Sequence, residues 1–136
     1  MARCWLLKTE PTSYSYAQLE KDERTTWDGV RNPVALKHLA AMRSGDEAYV
    51  YHTGDEKAVV GLARVLSDPV QDRRVADPRM MTVDLAPGRR LKRPVTLKEV
   101  KANAALRDFD LTRQPRLSVM PVSREQRDEI ERMAKS

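Results

Sequence analysis

Cysteine is almost absent: Cys4 is the chain's only one. A lone thiol closes no internal disulfide, which fits a reducing compartment. It stands in the apolar run Cys4-Trp5-Leu6-Leu7, where cysteine serves as a small core residue; a nucleophilic thiol is the other reading. Histidine is nearly as scarce, with only His38 and His52. One cysteine and two histidines make no cluster of ligands, so neither a metal site nor a cofactor is expected. The 5 glycines stand singly at 29, 45, 54, 61 and 88, which excludes a glycine-rich phosphate loop. A G-x-S-x-G nucleophile elbow is missing as well. No apolar run approaches the ~20 residues of a membrane helix, and the apolar start is too short for a signal-peptide core. A cytoplasmic protein is expected, or a nuclear one in a eukaryotic host, with no membrane partner.

Charge is what the sequence has in quantity. Against 20 Asp and Glu stand 25 Lys and Arg, a formal net charge of +5 over 136 residues. The excess is uneven. Between Arg64 and Arg116 there are 13 basic and 7 acidic side chains, against 12 and 13 in the remainder. A basic region on a neutral body attracts polyanions, although a solvated face without a partner has the same composition. The length suits a single domain over 1–136.

Punctuation by capping residues divides the chain. Residues 4–8 read as a short buried strand. Ser15-Tyr-Ala-Gln18 has capping-box spacing and opens a helix over 15–21. Thr25 to Arg31 lacks periodicity and reads as a loop. Asn32 caps the next helix with Pro33 in its first position; Leu36, Leu39 and Ala40 share a face, and Gly45 closes it. His38 reads as a solvated residue on that helix. Residues 47–52 alternate as a strand, 53–55 turn, and 58–66 form a central strand containing Gly61. Residues 67–79 read as a loop. Met80–Leu85 and Arg89–Val95 read as two strands about a Pro87-Gly88 turn. Thr96 to Glu99 opens a short helix, and Asn103 to Arg107 adds a turn. Arg116–Val122 is a last strand, with Pro121 placing it at an edge. Ser123 to Gln126 caps a C-terminal helix. Five or six short strands with short helices and no β-α-β rhythm predict an α+β fold built on a small barrel.

The segment Thr26-Trp27-Asp28-Gly29-Val30-Arg31-Asn32 carries the most chemistry. A loop running into a helix N-terminus presents free N–H groups and the positive end of a dipole. Arg31 adds a planar guanidinium that grips phosphate or stacks on a base. Trp27 adds a flat face of the kind that holds unpaired bases. The plain alternative makes Trp27 a core residue, with Asp28 and Asn32 serving turn and cap. Tyr51 and His52, at a strand end, are a second candidate; there the plain reading is a core tyrosine and a surface histidine. A Cys4/His52/Asp28 triad or a Glu10/Asp28 carboxylate pair can be assembled only on paper.

In order along the chain, the segments WLLKTEP (5–11), TTWDGVRN (25–32), the Ala35/Leu39/Met42 helix with GD at 45–46, YH (51–52), VVGLARV (59–65), KRPVTLKEVK (92–101) and RLSVMPV (116–122) resemble the EVE-domain family. The resemblance implies a PUA-like fold: a β-barrel decorated with helices. It also implies kinship with YTH domains, which hold methylated adenine of RNA in an aromatic cage. EVE domains are regarded as readers of modified bases, particularly modified cytosine in DNA, and similar domains occur fused to restriction-type nucleases. Here an effector would be a separate protein.

Carried over by position, the resemblance implies Trp27 as the stacking wall, with Lys8 and Glu10 at its rim. Asp28, Arg31 and Asn32 would supply polar groups, Tyr51 and His52 another side, and Arg116 and Ser118 an approach from the last strand. Two departures matter. Thr9 stands where the family often has Ser, and the 68–79 loop lacks the usual aromatic and proline-rich insert. With only seven aromatics in the chain, an open pocket is expected, walled by Trp27 on one side.

The sequence thus predicts a non-catalytic module that binds DNA or RNA containing a modified base. Arg89, Arg90, Lys92 and Arg93 would grip phosphate. A module binding a small molecule or free nucleotide is the alternative. A nucleotide- or RNA-processing enzyme, using His52 or Glu10 as general base, stands behind both.

Overall fold

In a computed structural model describing residues 2–135, strand β1 (Cys4–Thr9) lies inside the sheet and its first four residues are buried. That burial on both faces is why it reads as a continuous apolar run. It pairs in parallel with β3 (Glu47–His52), Trp5 opposite Ala48 and Lys8 opposite Tyr51. On its other side it pairs antiparallel with β7 (Val119–Val122), the terminal strand, so Pro121 does lie at an edge. Strand β4 (Ala58–Val65) pairs with β3, and β6 (Met81–Thr96) with β4. The three-residue β2 (Thr25–Trp27) completes the order β2-β6-β4-β3-β1-β7, and the two-residue β5 (Val70–Gln71) pairs with the start of β6. The fold is α+β, a curled half-barrel of PUA-like type.

Several expectations are corrected. The chain does not turn at Pro87-Gly88. It runs through as one strand of 16 residues. Pro87 lies opposite Ala63, next to a register shift in the β4–β6 ladder, where its missing N–H costs little. Gly88 lets β6 pass close to β4, since a Cβ there would stand 2.9 Å from the Leu62 carbonyl oxygen. The loops expected at 25–31 and 67–79 contain β2 and β5, and the last strand begins at Val119 rather than at Arg116.

The helices follow their caps. Ser15 Oγ accepts the Gln18 N–H at 3.0 Å at the start of α1 (Tyr16–Asp22). Asn32 Oδ1 accepts the N–H groups of Val34 (2.9 Å) and Ala35 (3.1 Å), opening α2 (Pro33–Ala41) on Pro33. Thr96 and Glu99 form a reciprocal capping box on α3 (Leu97–Ala102). After α4 (Asp110–Arg113), Ser123 and Gln126 exchange hydrogen bonds across the first turn of α5 (Arg124–Lys135). Helix α2 ends at Ala41, well before Gly45, because the wholly buried Met42 pulls the chain inward. Gly45 (φ +95°) instead serves the turn into β3, its N–H donating to the Val65 carbonyl. His38 is half-buried against Trp5, with ring centroids 6.2 Å apart, and is not the solvated residue expected.

Candidate nucleic-acid interface

Trp27 is half-buried at the end of β2, with part of its indole at the surface. Its partner is Tyr14, edge-on at 6.1 Å and 82°. The turn after β1 fixes Tyr14. Its N–H donates to the Glu10 carbonyl at 2.9 Å, and its own carbonyl accepts Thr9 Oγ1 at 2.7 Å. Its hydroxyl donates to Asp22 at 2.9 Å. Tyr14 thereby joins Trp27, on the β2 edge of the sheet, to the Lys8–Glu10 end of β1, the strand next to the opposite edge.

Around that strand end Lys8, Glu10, Tyr51, His52 and Ser118 come together, whereas among the described residues no contact ties Asp28, Arg31 or Asn32 to it. Lys8 Nζ donates to the Pro115 carbonyl at 2.8 Å and stands 5.7 Å above the Tyr51 ring, while its backbone N–H donates to the Ser118 carbonyl at 2.9 Å. Ser118 and the exposed Arg116 are thus held beside Lys8. Burial holds the Lys8 ammonium below its ordinary pKa. Glu10 accepts from Thr12 N–H (3.2 Å), Thr12 Oγ1 (3.1 Å) and Thr53 Oγ1 (3.4 Å). The Thr12 N–H holds its carboxyl below the usual range.

Asp28 pairs with Arg74 at 2.6 Å, and Arg74 also grips Asp72 through Nε (2.9 Å) and a terminal nitrogen (3.0 Å). Those bonds hold the Asp72 carboxyl low. Arg31 is exposed and Asn32 spends its carboxamide oxygen on the α2 cap. His52 is buried, at 6% exposure, where the plain reading put it on the surface. Its Nε2 accepts the Tyr16 N–H at 3.0 Å, which leaves the proton on Nδ1 facing Glu56 at 2.7 Å. Tyr51 is a core residue at 3% exposure. Both general-base candidates, His52 and Glu10, therefore carry structural hydrogen bonds. Cys4 is buried and its thiol is pushed up to about 12, chiefly by desolvation. Among the described residues no three His, Cys, Asp or Glu come together as a metal site, and no helix is long and apolar enough to cross a membrane.

The basic strip on the second half of β6 lies elsewhere. Arg89 pairs with Glu131 of α5, Arg90 with Glu20 of α1, and Arg93 with Glu99 of α3 at 2.8 Å. Lys92 is exposed.

Two residues beside the candidate platform escape a reading of the sequence: Tyr14 and Arg74. Arg74 had a signal. Asp72-Arg73-Arg74 and Asp77-Pro78-Arg79 repeat the same spacing, and in both the carboxylate accepts the backbone N–H and the guanidinium of the arginine two residues on. Tyr14 had only its position, between a strand end and a helix cap.

A curled PUA-like sheet with a half-buried tryptophan at its edge, braced by a second aromatic, defines the class: a small α+β module with an aromatic pair at the sheet edge. The chain belongs to the EVE domain family, whose model matches residues 3–133. It is 29% identical over 164 aligned residues to mouse thymocyte nuclear protein 1, covering 96% of this chain and 73% of the relative. A protein of Rhodopseudomonas palustris, solved by NMR, is 37% identical with a TM-score of 0.93, covering 98% of this chain and 94% of its own. The human THYN1 protein, solved in complex with 5-methylcytosine containing DNA, is 26% identical with a TM-score of 0.93 and 99% coverage of both chains.

Proposed function

We propose that this protein is a non-catalytic reader of a modified base, with modified cytosine in DNA as its target. The observation that carries the reading is Trp27: a half-buried indole, braced edge-on by Tyr14, at the edge of a fold shared with a protein solved on 5-methylcytosine DNA. The extruded base lies against Trp27. Its polar edge is read by side chains around the platform, with Lys8, Glu10, Asp28 and Arg31 supplying charge of both signs. Arg116 and Ser118 approach from beside Lys8, and the pocket stays open opposite Trp27. His52 and Asn32 contribute by fixing helix starts, one that of α1 and the other that of α2. Extrusion costs a few kcal/mol, least for a modified or unpaired base, and stacking on an aromatic returns ~1–3 kcal/mol.

The test is tryptophan fluorescence. Trp5 is 3% exposed, with its indole N–H bonded to Asp46 at 2.9 Å, so a ligand-dependent signal reports Trp27. Oligonucleotides with plain or methylated cytosine are titrated at two salt concentrations. Salt-sensitive quenching that favours the methylated strand is expected. Trp27→Ala lacks that reporter, so its binding is followed by the anisotropy of a labelled oligonucleotide; it should weaken binding of the methylated strand by roughly 5- to 150-fold and abolish the preference. A response to free nucleosides but to no oligonucleotide would replace this reading with a small-ligand module.

A further inference from the structure

A cleft of about 370 Å³ opens between α2 and the segment leading into β6, and of the base-reading residues it includes Arg31 alone. Pro33, Leu36 and Ala40 form one wall and Pro78, Met80 and Met81 the other, so the floor and sides are apolar. Trp27, Glu10 and Lys8 take no part in it. Its size and character match sites for small organic ligands, in which apolar walls surround a few polar groups.

The rim carries the polar groups. Arg79 is held by Asp77 at 2.9 Å, so those two charges largely satisfy each other. Arg31 and Lys37 also line the cleft; both are exposed, and neither side chain makes a hydrogen bond or ion pair within the described residues. The free N–H groups of α2 are not the attraction, because Asn32 already accepts two of them. The cleft therefore joins an apolar interior to two uncommitted cations at its mouth.

We propose that this cleft binds an amphipathic organic anion, its apolar body between Leu36 and Met80 and its anionic head on Lys37 and Arg31. The inference shares only Arg31 with the base-reading proposal; it uses neither the Trp27 platform nor the β6 cations, and the variants that test it lie at Ala40 and Lys37, outside the base-reading residues. Methionine suits such a wall, since its unbranched thioether adapts to bodies of different shape.

The probe is decanoate, compared with decanol, and the readout is the methyl NMR signals of the protein's methionines. Decanoate should shift the Met80 and Met81 methyls saturably, and decanol should bind about tenfold more weakly or worse. Ala40→Phe places a ring in the cleft from an exposed helical position and should abolish the shifts. Lys37→Glu should weaken decanoate by about tenfold. Both variants should keep the wild-type melting temperature and oligonucleotide affinity, which separates this site from the base-reading one. Equal affinity for decanoate and decanol, or shifts that persist in Ala40→Phe, would overturn the proposal.

Discussion

Tyr16 is wholly buried and its ring occupies the space a side chain at position 61 would need. A Cβ on Gly61 would stand 2.5 Å from Tyr16 Cζ. The ring cannot retreat, because its hydroxyl donates to the Leu62 carbonyl at 2.7 Å. Gly61→Ala should therefore destabilise the protein by about 1–3 kcal/mol, the usual cost of overpacking. Chemical denaturation should show a lower midpoint with an unchanged slope. An unchanged midpoint would mean that Tyr16 repacks freely. Glycine was legible at 61 as a residue inside a strand, but the ring that requires it lies 45 positions away in sequence. His52 was misread for the same reason. A histidine at a strand end looks solvated until the first N–H of α1, which needs an acceptor, is seen to find one in its ring.

Among the elements, those set by local chemistry were readable, and those set by pairing were not. Ser15, Asn32, Thr96 and Ser123 each cap the helix expected of them. Strands β2 and β5, of three and two residues, exist only because β6 passes beside them. The same holds for the segment between β5 and β6, which read as a plain loop. Arg74 ties it to Asp28, next to Trp27, across 46 positions of sequence. Arg74→Ala should release that segment, giving faster amide hydrogen exchange over residues 72–80 and a weaker preference for the methylated base, with α1 and α5 unaffected. Acid should do the same to the wild type. The Asp72 pKa is depressed in the fold, so its contribution is complete above the unfolded value of 3.8 and is lost as pH falls through the lower folded one. Unchanged exchange in Arg74→Ala would show that the pairing of β5 with β6 suffices to hold the segment.

For the molecule as a whole, the sequence revealed how much charge there is but not how it is spent. Arg89 and Arg90, in the basic stretch, find carboxylates 42 and 70 positions away, in α5 and α1. No count along the chain reveals such pairs. They do not disqualify the strip as a phosphate track. The Arg90–Glu20 side chains are 49% and 41% exposed, and a pair so exposed is worth at most about 1 kcal/mol, which a phosphate can outbid. Glu20 is then a competitor for the same guanidinium, and this gives the track a two-sided test. Arg90→Ala should weaken binding of methylated and plain strands alike and lower the salt slope by about 0.9, the loss of one phosphate contact. Glu20→Gln should tighten binding of both strands, because Arg90 no longer has to leave a carboxylate. Neither change should alter a preference for the methylated base, which the proposed reading assigns to Trp27. If both variants bind as the wild type does, the backbone runs off β6, and Arg116 beside Lys8 and Arg31 at the start of α2 are the next cations to remove.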